Sequence, residues 1–114
     1  MSSITTHILD TSLGKPAANV GVTLEQVDAY GATQVIGQSR TDQDGRARDL
    51  LAEGVALEAG RYRLTFDVGA YFTATRRETF YPDVVITFDV RDANQHYHVP
   101  LLVSPFGYST YRGS

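Results

Sequence analysis

Tyr62, Leu64, Phe66 and Val68 alternate with Arg61, Arg63, Thr65 and Asp67, and this two-residue period constrains the chain more than any other feature. Successive side chains of a strand point to opposite faces, so such a run buries one face and leaves the other to polar groups. Similar short runs recur between turn signals, which predicts an all-β sandwich. Ile4 to Asp10 reads as a first strand, closed by the turn cluster Thr11 to Pro16. Val20 to Val27 and Thr33 to Thr41 follow, the second ending at Asp42-Gln43-Asp44-Gly45. In that turn Asp supplies local hydrogen bonds and Gly accepts a positive φ. A fourth strand is expected over about Arg46 to Leu50 and a fifth over Arg61 to Val68. Ala70 to Glu78, with neither Gly nor Pro nor strict alternation, is expected to hold a short helix that ends before Pro82. Val84 to Val90 and His96 to Val103 are the sixth and seventh strands, with Pro100 pointing to an edge or a bulge. Tyr108 to Gly113 is the last.

At 114 residues the chain is expected to be one domain, 1–114, around a single core. With no Cys it has neither disulfides nor a thiolate metal site. Its net charge is −3 and its ten Lys and Arg are scattered, so the basic stripe of a nucleic-acid partner is missing. No apolar run approaches a membrane span. Met1 to His7 lacks a basic region followed by an apolar one, and the terminal Tyr-Arg-Gly-Ser is no peroxisomal address. These features predict a cytoplasmic enzyme or binding protein.

Parity then sorts the unusual side chains. Ile4 and Ile8 share one face of the first strand, and Thr5, His7 and Leu9 the other. Tyr97, Val99, Leu101 and Val103 form a core face of the seventh, so His96, His98, Pro100 and Leu102 point away. In the last strand Ser109, Tyr111 and Gly113 share a face. Leu9, Leu102 and Tyr111 thus form an outward apolar set of the kind another subunit covers.

His96-Tyr97-His98 puts two imidazoles on one strand face, a spacing that can hold a divalent metal, with His7 the only further histidine. No supporting carboxylate pattern accompanies them, and neither metal nor other cofactor is expected. The plain alternatives are a surface His96, and strand histidines at 7 and 98 satisfied by solvent. Histidine titrates near physiological pH, so the outward pair is suited to proton transfer. Arg46, just past the Asp-Gly turn, is either a surface charge or a planar fork for an anionic substrate. With no Gly-x-Ser-x-Gly elbow and no Cys, nucleophilic covalent catalysis has little support.

Thr6-His7-Ile8-Leu9-Asp10 with Gly14-Lys15-Pro16-Ala17, then Asp44-Gly45-Arg46, then His96 to Pro105 and Gly107 to Ser114 resemble, in order and spacing, the signatures of the transthyretin-like superfamily. The closing Tyr111-Arg112-Gly113-Ser114 resembles the mark of its 5-hydroxyisourate hydrolase branch, absent from the hormone carriers. The resemblance covers essentially the whole chain. It implies a transthyretin-type (prealbumin-like) sandwich of two four-stranded sheets with one short helix, and a homotetramer built as a dimer of dimers. It also implies active sites in clefts along a central channel, faced by His7, Leu9, His98, Leu102, Ser109 and Tyr111. The carriers have lysine and threonine where this chain has His7 and His98.

By the same resemblance the reaction is hydrolysis of 5-hydroxyisourate to 2-oxo-4-hydroxy-4-carboxy-5-ureidoimidazoline. His98 or His7 would activate water, the choice being open. Arg46 would orient the anionic substrate and stabilise the tetrahedral intermediate, while Tyr111 and Ser114 would close the cleft and bind the heterocycle. A Ser114 carboxylate could orient an imidazole or Arg46. Two other readings fit the residues: a small-molecule carrier on the same fold, and a sandwich interaction module with incidental histidines.

Overall fold

Strand β1 (Ser3–Asp10) is buried at every second residue, Ile4, Thr6, Ile8 and Asp10, as its alternation predicts. The computed structural model describes residues 3–114, so the Met1-Ser2 part of the opening stretch read for a leader lies outside the described residues. The elements that follow are β2 (Lys15–Pro16), β3 (Gly21–Val27), β4 (Thr33–Arg40), β5 (Arg46–Ala47), β6 (Gly60–Phe66), α1 (Val68–Ala74), β7 (Val84–Val90), β8 (His96–Ser104) and β9 (Gly107–Thr110). None of the helices described is long and apolar enough to cross a membrane.

One sheet runs β4-β3-β6-β7, antiparallel throughout. The other runs β2-β1-β8-β9, with β5 also pairing β1. It therefore has five strands where four are expected. The extra one is β2, inside the predicted turn cluster, where Pro16 lies opposite Leu9 and Lys15 opposite Asp10. Among the described residues the one parallel pairing joins β1 to β8 over eight residues, Ser3 opposite His96 through Asp10 opposite Val103. The buried faces of the sheets meet in a core of Ile4, Ile8, Val22, Leu24, Tyr62, Leu64, Phe66, Tyr97 and Leu101, among others.

Three local departures have physical causes. Strand β5 stops at Ala47 because the chain leaves β1 and crosses to the other sheet, where Ala52 N–H donates to Ile36 O at 3.0 Å. Leu50 is fully buried on the way, and Gly37 lets its backbone pass: a Cβ there would lie 1.5 Å from Leu50 O. The helix begins two residues before the expected start and ends at Ala74. Asp67 caps it by accepting from Ala70 N–H at 3.3 Å, with Val68 and Phe72 buried beneath. Arg76, at φ 60, then turns the chain out, with Arg76 N–H donating to Thr73 O and Arg77 N–H to Phe72 O. That is a Schellman ending with Arg in the place usually taken by Gly.

The third departure is Pro100, which is neither at an edge nor at a bulge. Strand β8 is an inner strand between β1 and β9. The His98 carbonyl accepts from Gly113 N–H at 2.9 Å, and the Pro100 carbonyl from Thr110 Oγ1 at 2.7 Å, so both face the β9 side. Continuous pairing with β9 ends at Thr110 and resumes only at Gly113. The missing proline N–H falls in that gap, where no ladder bond is forfeited.

The Schellman turn delivers Arg77 to Asp10. Its Nη2 donates to Asp10 Oδ2 at 2.6 Å, joined by Tyr71 O–H at 2.8 Å and Ser12 N–H on Oδ1 at 3.1 Å. Burial alone would raise the Asp10 pKa, but the bonds from Arg77, Ser12 and Tyr71 and the Arg77 charge hold it at about 2, against an ordinary 3.8. This depressed carboxylate contributes about 2 kcal/mol, complete above pH 4 and lost as pH falls from 3.8 towards 2. Asp10→Asn is expected to cost about 3 kcal/mol at pH 7 by leaving Arg77 without its partner. Thermal melts should show the gap from the native chain narrowing between pH 4 and pH 2; a constant gap across that range refutes this account.

Candidate active site

Two pairings carry the outward side chains of β1 to their neighbours. Thr5 lies opposite His98, and His7 lies between Pro100 on β8 and Arg46 on β5. Paired residues point to the same face, so Thr5, His7, His98 and Arg46 form adjoining rows on the side away from the core. Arg46 owes its place to the turn before it. Asp42 Oδ1 accepts from the N–H groups of Asp44 at 2.9 Å and Arg46 at 3.0 Å. Gly45, at φ 77, closes the turn and presses on β1, where a Cβ would lie 2.5 Å from Ile8 O. The bond from Arg46 N–H, with the Asp44 bond and the nearby Arg48 and Arg46 charges, outweighs the opposing effect of burial and leaves the Asp42 carboxyl below its usual range.

These rows border an open depression of about 420 Å³ lined by Ser3, Thr5, Thr6, Arg46, Arg48, His96, His98 and Ser114. Four predicted site residues thus fall in or beside one place: Arg46, His98 and Ser114 line it, and His7 stands in the next row. Tyr111 does not join them. The register linking Leu101 to Thr110 and His98 to Gly113 puts it opposite Pro100, but its side chain is 60% exposed and borders a second, adjoining hollow with Phe88, Tyr97 and Arg112, which His98 also lines.

His98 is half-buried, and its Nδ1 lies 2.8 Å from Thr5 Oγ1. Burial first, then the charges of Arg46, His96 and His7, push its pKa below the usual 6.5, so the ring is neutral at pH 7. Gly113 makes room for it: a Cβ there would lie 2.6 Å from His98 Cδ2. The end of the chain is held by Arg112, whose guanidinium lies 4.5 Å from the Tyr97 ring centroid and donates to Gln95 Oε1 at 2.9 Å. No Asp or Glu lines the depression, and two guanidinium groups do, so it favours negative charge. Among the described residues no three His, Cys, Asp or Glu converge as a metal site.

Ser3, Thr5 and Arg48 are lining residues to which sequence reasoning gives no role, and His96 is weighed there only as a metal ligand or a surface residue. Thr5 carried a signal, since it shares the His7 face of β1. Arg48 carried none, because its place depends on where β5 ends; it also pairs with Asp42 at 3.4 Å.

A model of the HIUase/Transthyretin family matches residues 4–113. The chain belongs to that family. Over 118 aligned positions, covering all of both chains, it is 52% identical to a 5-hydroxyisourate hydrolase of Caulobacter vibrioides. Its fold is similar to that of Klebsiella pneumoniae 5-hydroxyisourate hydrolase, at 37% identity and a TM-score of 0.83, over 98% of this chain and 99% of that one. It is also similar to sea bream transthyretin in complex with thyroxine, at 33% identity and a TM-score of 0.89, over 97% and 94%. Enzyme and carrier fit the same backbone, so within this family the side chains of the outward face must separate them.

Titrating the imidazoles by NMR should place the His98 midpoint below 6.5. In Arg46→Gln it should rise, yet stay below 6.5, because burial persists. A native midpoint at or above 6.5 contradicts the electrostatics described.

Proposed function

We propose that this chain hydrolyses 5-hydroxyisourate, opening the six-membered ring at an amide bond to give 2-oxo-4-hydroxy-4-carboxy-5-ureidoimidazoline. The observation that carries the reading is the union, in one depression, of a neutral, half-buried His98 with Arg46, in a chain similar end to end to a protein bearing that activity in its name. His98 is the general base: it borders the depression, is held by Thr5 and is unprotonated at neutral pH. His7, one row away, assists by position. Arg46 binds the anionic heterocycle and offsets the charge that builds on the tetrahedral oxyanion. Arg48 adds a second positive charge at the rim, and Ser114 contacts the ring from the chain's last residue. Tyr111 flanks His98 from the adjoining hollow, and the open cleft is completed by another protomer.

A homotetramer, built as a dimer of dimers, supplies that completion. In support, Leu9, Leu102 and Ser109 form a row across β1, β8 and β9 on the outward face. Light scattering behind a sizing column should give four times the chain mass, and a monomer would refute the assembly. A carrier role has the likeness to thyroxine-bound transthyretin in its favour, and predicts binding without turnover.

The deciding assay follows 5-hydroxyisourate, freshly generated from urate, as it decays. The native chain should accelerate the decay, His98→Asn should lower kcat by about 10²–10⁴-fold, and Arg46→Gln should lower kcat/KM. The native kcat/KM should fall as pH drops below 6.5, because protonation removes the base. Native-like decay in both variants would leave the mechanism without support.

A further inference from the structure

Thr5 stands between two imidazoles. Its Oγ1 lies 2.8 Å from His98 Nδ1 and 3.0 Å from His96 Nε2, and His96 Nδ1 in turn meets the Ser3 hydroxyl. The two rings are nearly parallel, 16° apart with centroids 6.4 Å from each other. His98 is half-buried and His96 is exposed. All four residues border the same open depression, and the line His98–Thr5–His96–Ser3 runs along it from the half-buried ring to the exposed one.

A hydroxyl has a single proton to donate. Thr5 can donate to one ring only and accepts from the other when both bonds are made, so whenever both imidazoles are neutral their tautomers are coupled. When His98 Nδ1–H donates to Thr5, Thr5 donates to His96 Nε2, and His98 Nε2 keeps a bare lone pair. When every bond reverses, His98 Nε2 carries a proton. The first arrangement is a base and the second an acid, with no net charge in either.

We propose that Thr5 and His96 are positioning residues for the hydrolysis: Thr5 couples the tautomers of His98 and His96, and His96 passes to solvent the proton that each turnover releases. This rests on the hydrolase reading above. In that reaction the water oxygen bonds to the ring carbonyl carbon and the carbon–nitrogen bond breaks. One of the two water protons ends on the departing nitrogen, which stays neutral as a ureide. The other is lost when the new carboxylic acid ionises. His98 takes the first and returns it to nitrogen. For the second, His98 Nε2 accepts the proton, Nδ1–H moves to Thr5, the Thr5 proton moves to His96 Nε2, and His96 Nδ1–H leaves through the Ser3 hydroxyl to water. The charged and titratable groups around His98 are Arg46, Arg48, His96 and His7, with Asp89, Tyr97, Tyr111 and Arg112 at the adjoining hollow. Asp89 is engaged by Arg61 at 3.0 Å. His96 is thus the outward acceptor in hydrogen-bond reach of Thr5.

Thr5→Val keeps the shape and removes the hydroxyl; Thr5→Ser restores it; His96→Gln keeps a hydrogen-bonding side chain that cannot carry a proton. Each is assayed on 5-hydroxyisourate across pH and in mixtures of light and heavy water, with melting curves to check folding. We expect Thr5→Val and His96→Gln to lower kcat about 10- to 100-fold with KM near native, the range for groups that orient a working histidine. The curved dependence of the native kcat on deuterium fraction, the mark of several protons in flight, should become linear in both. Thr5→Ser should recover most of the rate and the curvature. A native kcat and curvature in either Thr5→Val or His96→Gln, a loss confined to KM, or no recovery in Thr5→Ser overturns the relay. An inactive native chain instead defeats the hydrolase reading itself.

Discussion

The parallel pairing of β1 with β8 is the constraint on which the rest of the structure depends. It joins segments 93 residues apart at the Thr5–His98 contact, and the outward groups of the candidate site stand on these two strands or on neighbours they hold. It is secured on the core side, where Thr6 Oγ1 donates to Val99 O at 2.6 Å, and at its far end, where Asp10 is clamped by Arg77 and Thr11 N–H donates to Val103 O at 2.9 Å. The entropy of closing so long a loop is recovered only when the sheets stack, so the site and the core form together. The face that bears the histidines contributes little to that stacking. Core and chemistry are thereby divided between the two parities of the same strands.

That division is why so much could be read in the sequence. Alternation in β1, β6 and β8 separates Ile4, Ile8, Tyr97, Val99 and Leu101 from Thr5, His7, His96 and His98, and the structure keeps the separation residue by residue. The bounds of β7 are likewise those its alternation and flanking turn signals predict. Arg46 is legible because Asp-Gly turns are local: the Asp42 side chain and the Gly45 conformation are fixed within a few residues.

What escapes the sequence is whatever a distant partner decides. Strand β2 exists because the end of β1 offers it an edge, and β5 is short because Leu50 is drawn into the core past Gly37. Arg76 in a left-handed conformation gives no compositional warning, since the usual residue there is Gly. Pro100 in an inner strand becomes intelligible only once the gap between Thr110 and Gly113 is seen. For the site, proximity in sequence makes His96 and His98 look equivalent, and only the sheet distinguishes them, half-burying one and leaving the other in water.

The same contrast bears on what an outward strand face can do on a backbone that a thyroxine-bound transthyretin also uses. A fully solvated imidazole has no fixed tautomer and no directed lone pair, and a fully buried one has no route for its proton. The pair two residues apart on β8 divides these needs, with one ring half-buried and one exposed along the same depression, and a single hydroxyl from the neighbouring strand touching both. Gly113 completes the arrangement from the other side, since any side chain there would meet the His98 ring. None of these groups is needed to pack the core, so the face can differ between a binding protein and an enzyme while the stacked sheets beneath stay the same.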